Sequence, residues 1–132
     1  MDVLANIVYA KKLFKSINAY KSLKSDATQG GLGGIGIENW ILQHGGSFYD
    51  AAKDFVDEAK KAGSFEEFKK VYQVFDLGDN HYSDKSGVYP HDNFVGDENK
   101  MGQDGYNRML TALKEYLKSI ELAQMDNDIK KR

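Results

Sequence analysis

The chain has no cysteine. That excludes disulfides, thiolate nucleophiles and zinc–thiolate centres. It also suits a reducing compartment, the cytoplasm, better than secretion, where a domain this small often needs disulfide staples. Proline is nearly absent as well: Pro90 is the single one in 132 residues, so little in the chain locks the backbone against helix. No apolar run approaches the roughly 18 residues that a membrane-spanning helix needs. The opening MDVLANIVYAKKLFK carries its charges after the apolar stretch and shows no cleavage-site pattern, which does not suit a signal peptide. An excess of one charge is missing too. The formal net charge is −2, too small to drive non-specific nucleic-acid binding through the bulk field.

What is present is an ordinary globular balance. Hydrophobic residues make up 41% and charged residues 29%, and 8 Tyr, 7 Phe and 1 Trp supply large groups to bury. This length and composition predict one helical domain over 1–125, with 126–132 as a fraying tail. The charge is unevenly spread. Between 11 and 24 stand Lys11, Lys12, Lys15, Lys21 and Lys24 without an acid, a local basic patch.

Periodicity predicts mainly α structure. Val3, Ile7, Ala10, Phe14 and Ile17 recur at helical spacing, with Leu4 and Val8 widening that face, so a first helix is expected from Val3 to about Ile17. The stretch 21–34 turns polar and then glycine-rich, a loop. A second helix, apolar nearly all round at Ile35, Ile37, Trp40, Ile41 and Leu42, is expected from 34 to 44 as the central buried element. Ser47 and Ser64 read as the caps of two further helices, the first stopped by Gly63. VYQVF at 71–75 has β character and admits a short hairpin near 71–90. A long Asp-, Asn- and Gly-rich loop occupies 76–103, and a last helix spans about Asp104 to Met125. The expected fold is a bundle of four to five helices around 34–44.

Some residues do not fit a plain core. On a wheel of about 100° per residue, Lys11 falls between Ile7 and Leu4, and Lys15 between Leu4 and Val8. A lysine there snorkels, pairs with an acid, or meets an anion. Glu38 falls between Ile41 and Leu42, where a carboxylate needs donors or a cation; a lysine of the first helix is one candidate. GGLGG at 30–34 precedes a helix, which suits either close backbone packing or a phosphate cradle. It is neither a P-loop nor a dinucleotide fingerprint. His44, His81 and His91 with Asp76, Asp79 and Asp92 match no helical ligand pair and read first as turn-forming groups.

Taken in order, AKKLFKSINAY (10–20), GGLGGIGIENWILQHGGSF (30–48), VFDLGDNHYS (74–83) and HDNFV (91–95) resemble the helical second domain of class I nucleotidyltransferases. Archaeal-type CCA-adding enzymes are the nearer likeness, and poly(A) polymerases and oligoadenylate synthetases more distant ones. The resemblance spans roughly 8–118. It implies a nucleotide-binding role for Lys11, Tyr20, Gly30, Gly31 and Gly34, with Lys15, Lys21 and Lys24 adding attraction for an RNA backbone. It assigns no catalytic residue here. In that family the metal-binding carboxylates lie on a separate sheet domain, so Mg²⁺ and nucleoside triphosphate are expected only together with such a domain. No such segment stands before residue 10. The sequence departs from the family pattern at Gly33 and Ile35, at Asp76-Leu77 in place of Asp-Pro, and in the extra glycine of HGGS.

Three readings follow. The first is a nucleotide- and RNA-binding helical domain that completes a nucleotidyltransferase active site, its partners being nucleoside triphosphate, RNA and the catalytic domain. The second is a protein-interaction module without nucleotide binding, whose basic helix docks on an acidic partner and whose exposed apolar patch that partner covers. The third is a metal hydrolase built on His81, His91 and the loop aspartates.

Overall fold

Asp2 starts the first helix. Its carboxylate accepts from the Ala5 amide at 2.7 Å, which satisfies one of the amides that a helix start leaves without a partner. The computed structural model describes residues 2–19, 34–72 and 102–130, side chains at 34, 35, 129 and 130 excepted. Within them lie α1 (Val3–Ser16), α2 (Gly34–Leu42), α3 (Phe48–Ala62), α4 (Phe65–Val71) and α5 (Gln103–Lys130). No strand occurs among the described residues, and the fold is a mainly helical bundle.

The cap signals act as their chemistry dictates. Ser47 accepts from the Asp50 amide at 3.1 Å and Ser64 from the Glu67 amide at 3.2 Å. Gly63 closes α3 in the left-handed region at φ 79°. α1 ends without a glycine: Asn18 takes φ 59°, which asparagine tolerates better than most residues, and the Ala19 amide returns to the Phe14 carbonyl at 2.8 Å. Between α2 and α3, Gly45 and Gly46 both hold positive φ, and the amide of Gly46 reaches the Ile41 carbonyl at 2.9 Å. This turn ends α2 at Leu42 and leaves His44 outside it, short of the expected end. The second glycine has a further reason to be there. A Cβ on Gly46 would come within 2.5 Å of Val3 Cγ2, so α1 packs directly on the turn.

Trp40 stands at the centre. Its ring meets Phe14 of α1 at 5.7 Å and Phe48 and Phe55 of α3 at 6.0 and 6.2 Å. The ring contacts continue outward from Phe55 to Phe68 and Tyr72 of α4 and its end, and to Tyr106 of α5. Offset and edge-on ring pairs of this kind add to the apolar area they bury.

Three expectations shift. Val71 closes α4, so the β-like run begins inside a helix; 73–101, and with it the rest of the expected hairpin and loop, lies outside the described residues. α5 runs to Lys130 rather than stopping near Met125, because no proline or glycine interrupts it after Gly105. Leu4 and Val8 do not widen the core face. Leu4 is 70% exposed and Val8 also reaches solvent, since α2 packs on the Ile7–Ala10–Phe14 side and leaves this flank of α1 open.

Candidate functional site

α1 and α2 run antiparallel. The register follows from two pairings: Lys11 lies against Glu38, and Val3 against Gly46. Lys11 Nζ stands 3.1 Å from Glu38 Oε1, with the two side chains 25% and 43% exposed. The pair accounts for the wheel positions of Lys11 and Glu38. Lys11 sits at the edge of the apolar seam because a carboxylate waits there, and Glu38 is half-exposed rather than buried because the α1 flank beside it is open to water. A pair this wet contributes little to stability, about 0–1 kcal/mol.

The same flank carries a regular stripe. Leu4, Val8, Lys11 and Lys15 are spaced four, three and four residues apart and so share one side of α1. The N-terminal half of the stripe is apolar and solvent-exposed, and the C-terminal half is basic. Leu42 of α2 is exposed as well.

Of the residues singled out for nucleotide binding, Lys11 takes the place just described, and Gly34 forms the first residue of α2, one turn before Glu38. Lys15 is exposed on the same flank of α1. Tyr20, Gly30 and Gly31, and Lys21 and Lys24 with them, lie outside the described residues, as do His81, His91, Asp76, Asp79 and Asp92. Among the described residues no three His, Cys, Asp or Glu side chains gather as a metal site would require, and no helix is long and apolar enough to cross a membrane.

Sequence reasoning missed one polar cluster. His44 contacts the Trp40 carbonyl through Nδ1 at 2.7 Å and the Asp54 carboxylate through Nε2 at 2.9 Å. Both neighbours are acceptors, so both contacts are full hydrogen bonds when each ring nitrogen bears a proton. The Trp40 indole donates to the Tyr72 hydroxyl at 2.9 Å, and the Asp54 carboxylate lies near that hydroxyl. Burial pushes the Tyr72 hydroxyl well above its ordinary range; the indole donor works against that rise, and the nearby Asp54 charge adds to it. The cluster ties α2, the turn after it, α3 and the end of α4. Both nitrogens of His44 are committed to the fold, so this histidine–carboxylate pair acts as a clip. Its signal in the sequence was slight, because His44 and Asp54 meet across a turn rather than along one helix.

No protein-family model, no curated protein and no solved structure matches this chain.

Proposed function

We propose that this chain is the helical, non-catalytic half of a nucleotidyltransferase, engaging nucleoside triphosphate and RNA beside a catalytic domain that carries the metal-binding carboxylates. The order of motifs from 10 to 95 supports this most, and the α1 stripe fits it. A lysine held in a fixed direction by a carboxylate suits a phosphate contact, because its head is placed before the ligand arrives. Lys15 follows one turn on, and Leu4 and Val8 supply the apolar ground on which a neighbouring domain sits. Mg²⁺ belongs, on this reading, to that neighbouring domain and to the nucleotide. The ion pair with Glu38 explains the position of Lys11 without a ligand, so what connects the stripe to nucleotide is the order of motifs from 10 to 95.

Direct binding tests the proposal. Nucleoside triphosphate is expected to bind weakly and to weaken further with added salt, and Lys11→Ala is expected to abolish that binding while the fold survives. Equilibrium dialysis with labelled ATP and CTP reads this. Equal binding by the wild-type chain and the variant would remove Lys11 from the site.

The exposed apolar residues support a second reading, a protein-interaction module. Val3, Leu4, Val8 and Leu42 are all exposed on α1 and α2, and such a patch beside lysines suits an acidic, partly apolar protein surface. The two readings separate on nucleotide alone. The module binds none at any salt concentration, and its contact with a protein partner is lost with Leu4→Ser and Val8→Ser.

A further inference from the structure

α5 carries a second surface, on a different helix from the α1 stripe. At about 100° per residue, Asn107, Leu110, Lys114, Glu121, Met125 and Asp128 share one flank of α5, roughly a quarter-turn from the buried side formed by Tyr106, Met109 and Leu113. The near half of this flank walls a groove of about 820 Å³ between α3 and α5. Val56, Ala59 and Leu110 give the groove its apolar lining, Lys60 and Lys114 stand at it, and no acid among the described residues lines it. The far half leaves the bundle. Residues 121–128 are all exposed, Met125 at 58% and Leu122 with it. Between 119 and 128 the charges are Glu121, Asp126 and Asp128, with no base. A helical stretch that packs on none of the described residues is marginal in water, and an exposed leucine and methionine add apolar surface to it.

The two halves match each other. Counting outward from the bond between 117 and 118, Lys114 corresponds to Glu121, Leu110 to Met125, and Asn107 to Asp128. Cation answers anion, apolar answers apolar, and amide answers carboxylate. A residue-by-residue match about a midpoint is what a two-fold interface demands, since each contact there occurs twice.

We propose that a second copy of this chain covers the flank. The two α5 helices pack antiparallel about an axis near residues 117 and 118. Lys114 of each copy pairs with Glu121 of the other. Met125 of one copy enters the groove of the other beside Leu110 and Val56, and Lys60 adds a cation for the acidic end of the incoming helix. Neither Lys114 nor Glu121 has an ion-pair partner among the described residues of its own chain, so both heads are available to the second copy. The inference does not rest on the nucleotidyltransferase reading, because the α1 stripe takes no part in it.

Sedimentation equilibrium of the full chain, of Lys114→Glu, and of Lys114→Glu combined with Glu121→Lys tests it. Both positions are exposed, so folding is expected to persist, and circular dichroism checks that it does. The wild-type chain is expected to dimerise reversibly. Lys114→Glu should weaken the dimer by about tenfold or more, since one substitution removes two symmetric pairs. The double variant should recover most of the loss, because the pair re-forms with its signs exchanged. A monomeric wild-type chain, a dimer indifferent to Lys114→Glu, or a double variant no better than the single one would each overturn the arrangement. A second readout uses the absence of native cysteine. Asn107→Cys with Asp128→Cys in one chain should oxidise to a covalent dimer if the helices pair in this register, and a product that stays monomeric contradicts the register.

Discussion

The ring-packed centre and the outer flank of α1 are held by different physics. Around Trp40, side chains from α1, α3, α4 and α5 interlock, and Phe14, Phe48, Phe55 and Phe68 lose nearly all contact with water. Along the α1 flank, leucine and valine stay in solvent and the closing contact with α2 is one wet ion pair. The centre concentrates stability in positions that tolerate little change. The flank contributes little stability, and that leaves it free to be shaped by what it touches.

Cutting the centre is expected to show the largest effect. Trp40→Ala removes the ring at the hub of the bundle and should cost about 3–5 kcal/mol in chemical denaturation. The turn between α2 and α3 comes next. Gly46→Ala forces a Cβ at φ 80° towards Val3, and a loss of about 1–3 kcal/mol is expected. Gly45→Ala carries the positive φ without the clash, since a Cβ there meets nothing within 4 Å, so its loss should be smaller. Equal losses would show that the clash with Val3 contributes nothing.

Tyr72→Phe leaves the Trp40 indole without its acceptor and should cost about 1–3 kcal/mol near neutral pH. It should also change the alkaline limb. The native hydroxyl titrates above the unfolded one. Its contribution is therefore complete below the unfolded value of about 10 and is lost as pH rises through the native value. Tyr72→Phe should flatten that decline, leaving a remainder from Tyr106 and Tyr116, which burial also raises. Denaturation midpoints taken from neutral to strongly alkaline pH measure it, and an unchanged alkaline slope would remove Tyr72 as its source. The smallest effect belongs to the flank. Lys11→Met should cost about 0–1 kcal/mol, and Leu4→Ser should stay within about 0.5 kcal/mol. A loss at Leu4 comparable to that at Trp40 would erase the distinction between the two regions.

How much of this was legible in the sequence follows from which forces act locally. Ser47, Ser64 and Gly63 act through their own backbone neighbours, so spacing alone located three helix ends. The central place of α2 followed from apolar residues on all its sides. Leu4 and Val8 misled because a wheel shows which residues share a face but not where the neighbouring helix stops covering it. The wheel position of Glu38 asks for donors or a cation, with a lysine of the first helix one candidate; which of them serves, and how exposed the carboxylate stays, depends on packing that periodicity does not contain. His44 with Asp54 is a contact across a turn, and Tyr72 joins it from a third element, so no single-helix pattern announced the cluster. At the candidate nucleotide site, Lys11 and Gly34 fall within the described residues. Tyr20, Gly30 and Gly31 were read through resemblance, and their places lie outside those residues.

The most direct measurement of the proposed function is an amide chemical-shift titration of the chain with ATP and with CTP at low salt, repeated on Lys11→Ala. The nucleotidyltransferase reading predicts shifts clustered at Lys11, at Gly30–Gly34 and in the first turns of α2, fading as salt is added and absent from the variant. Shifts that ignore the substitution, or spectra unmoved at millimolar nucleotide, would contradict it.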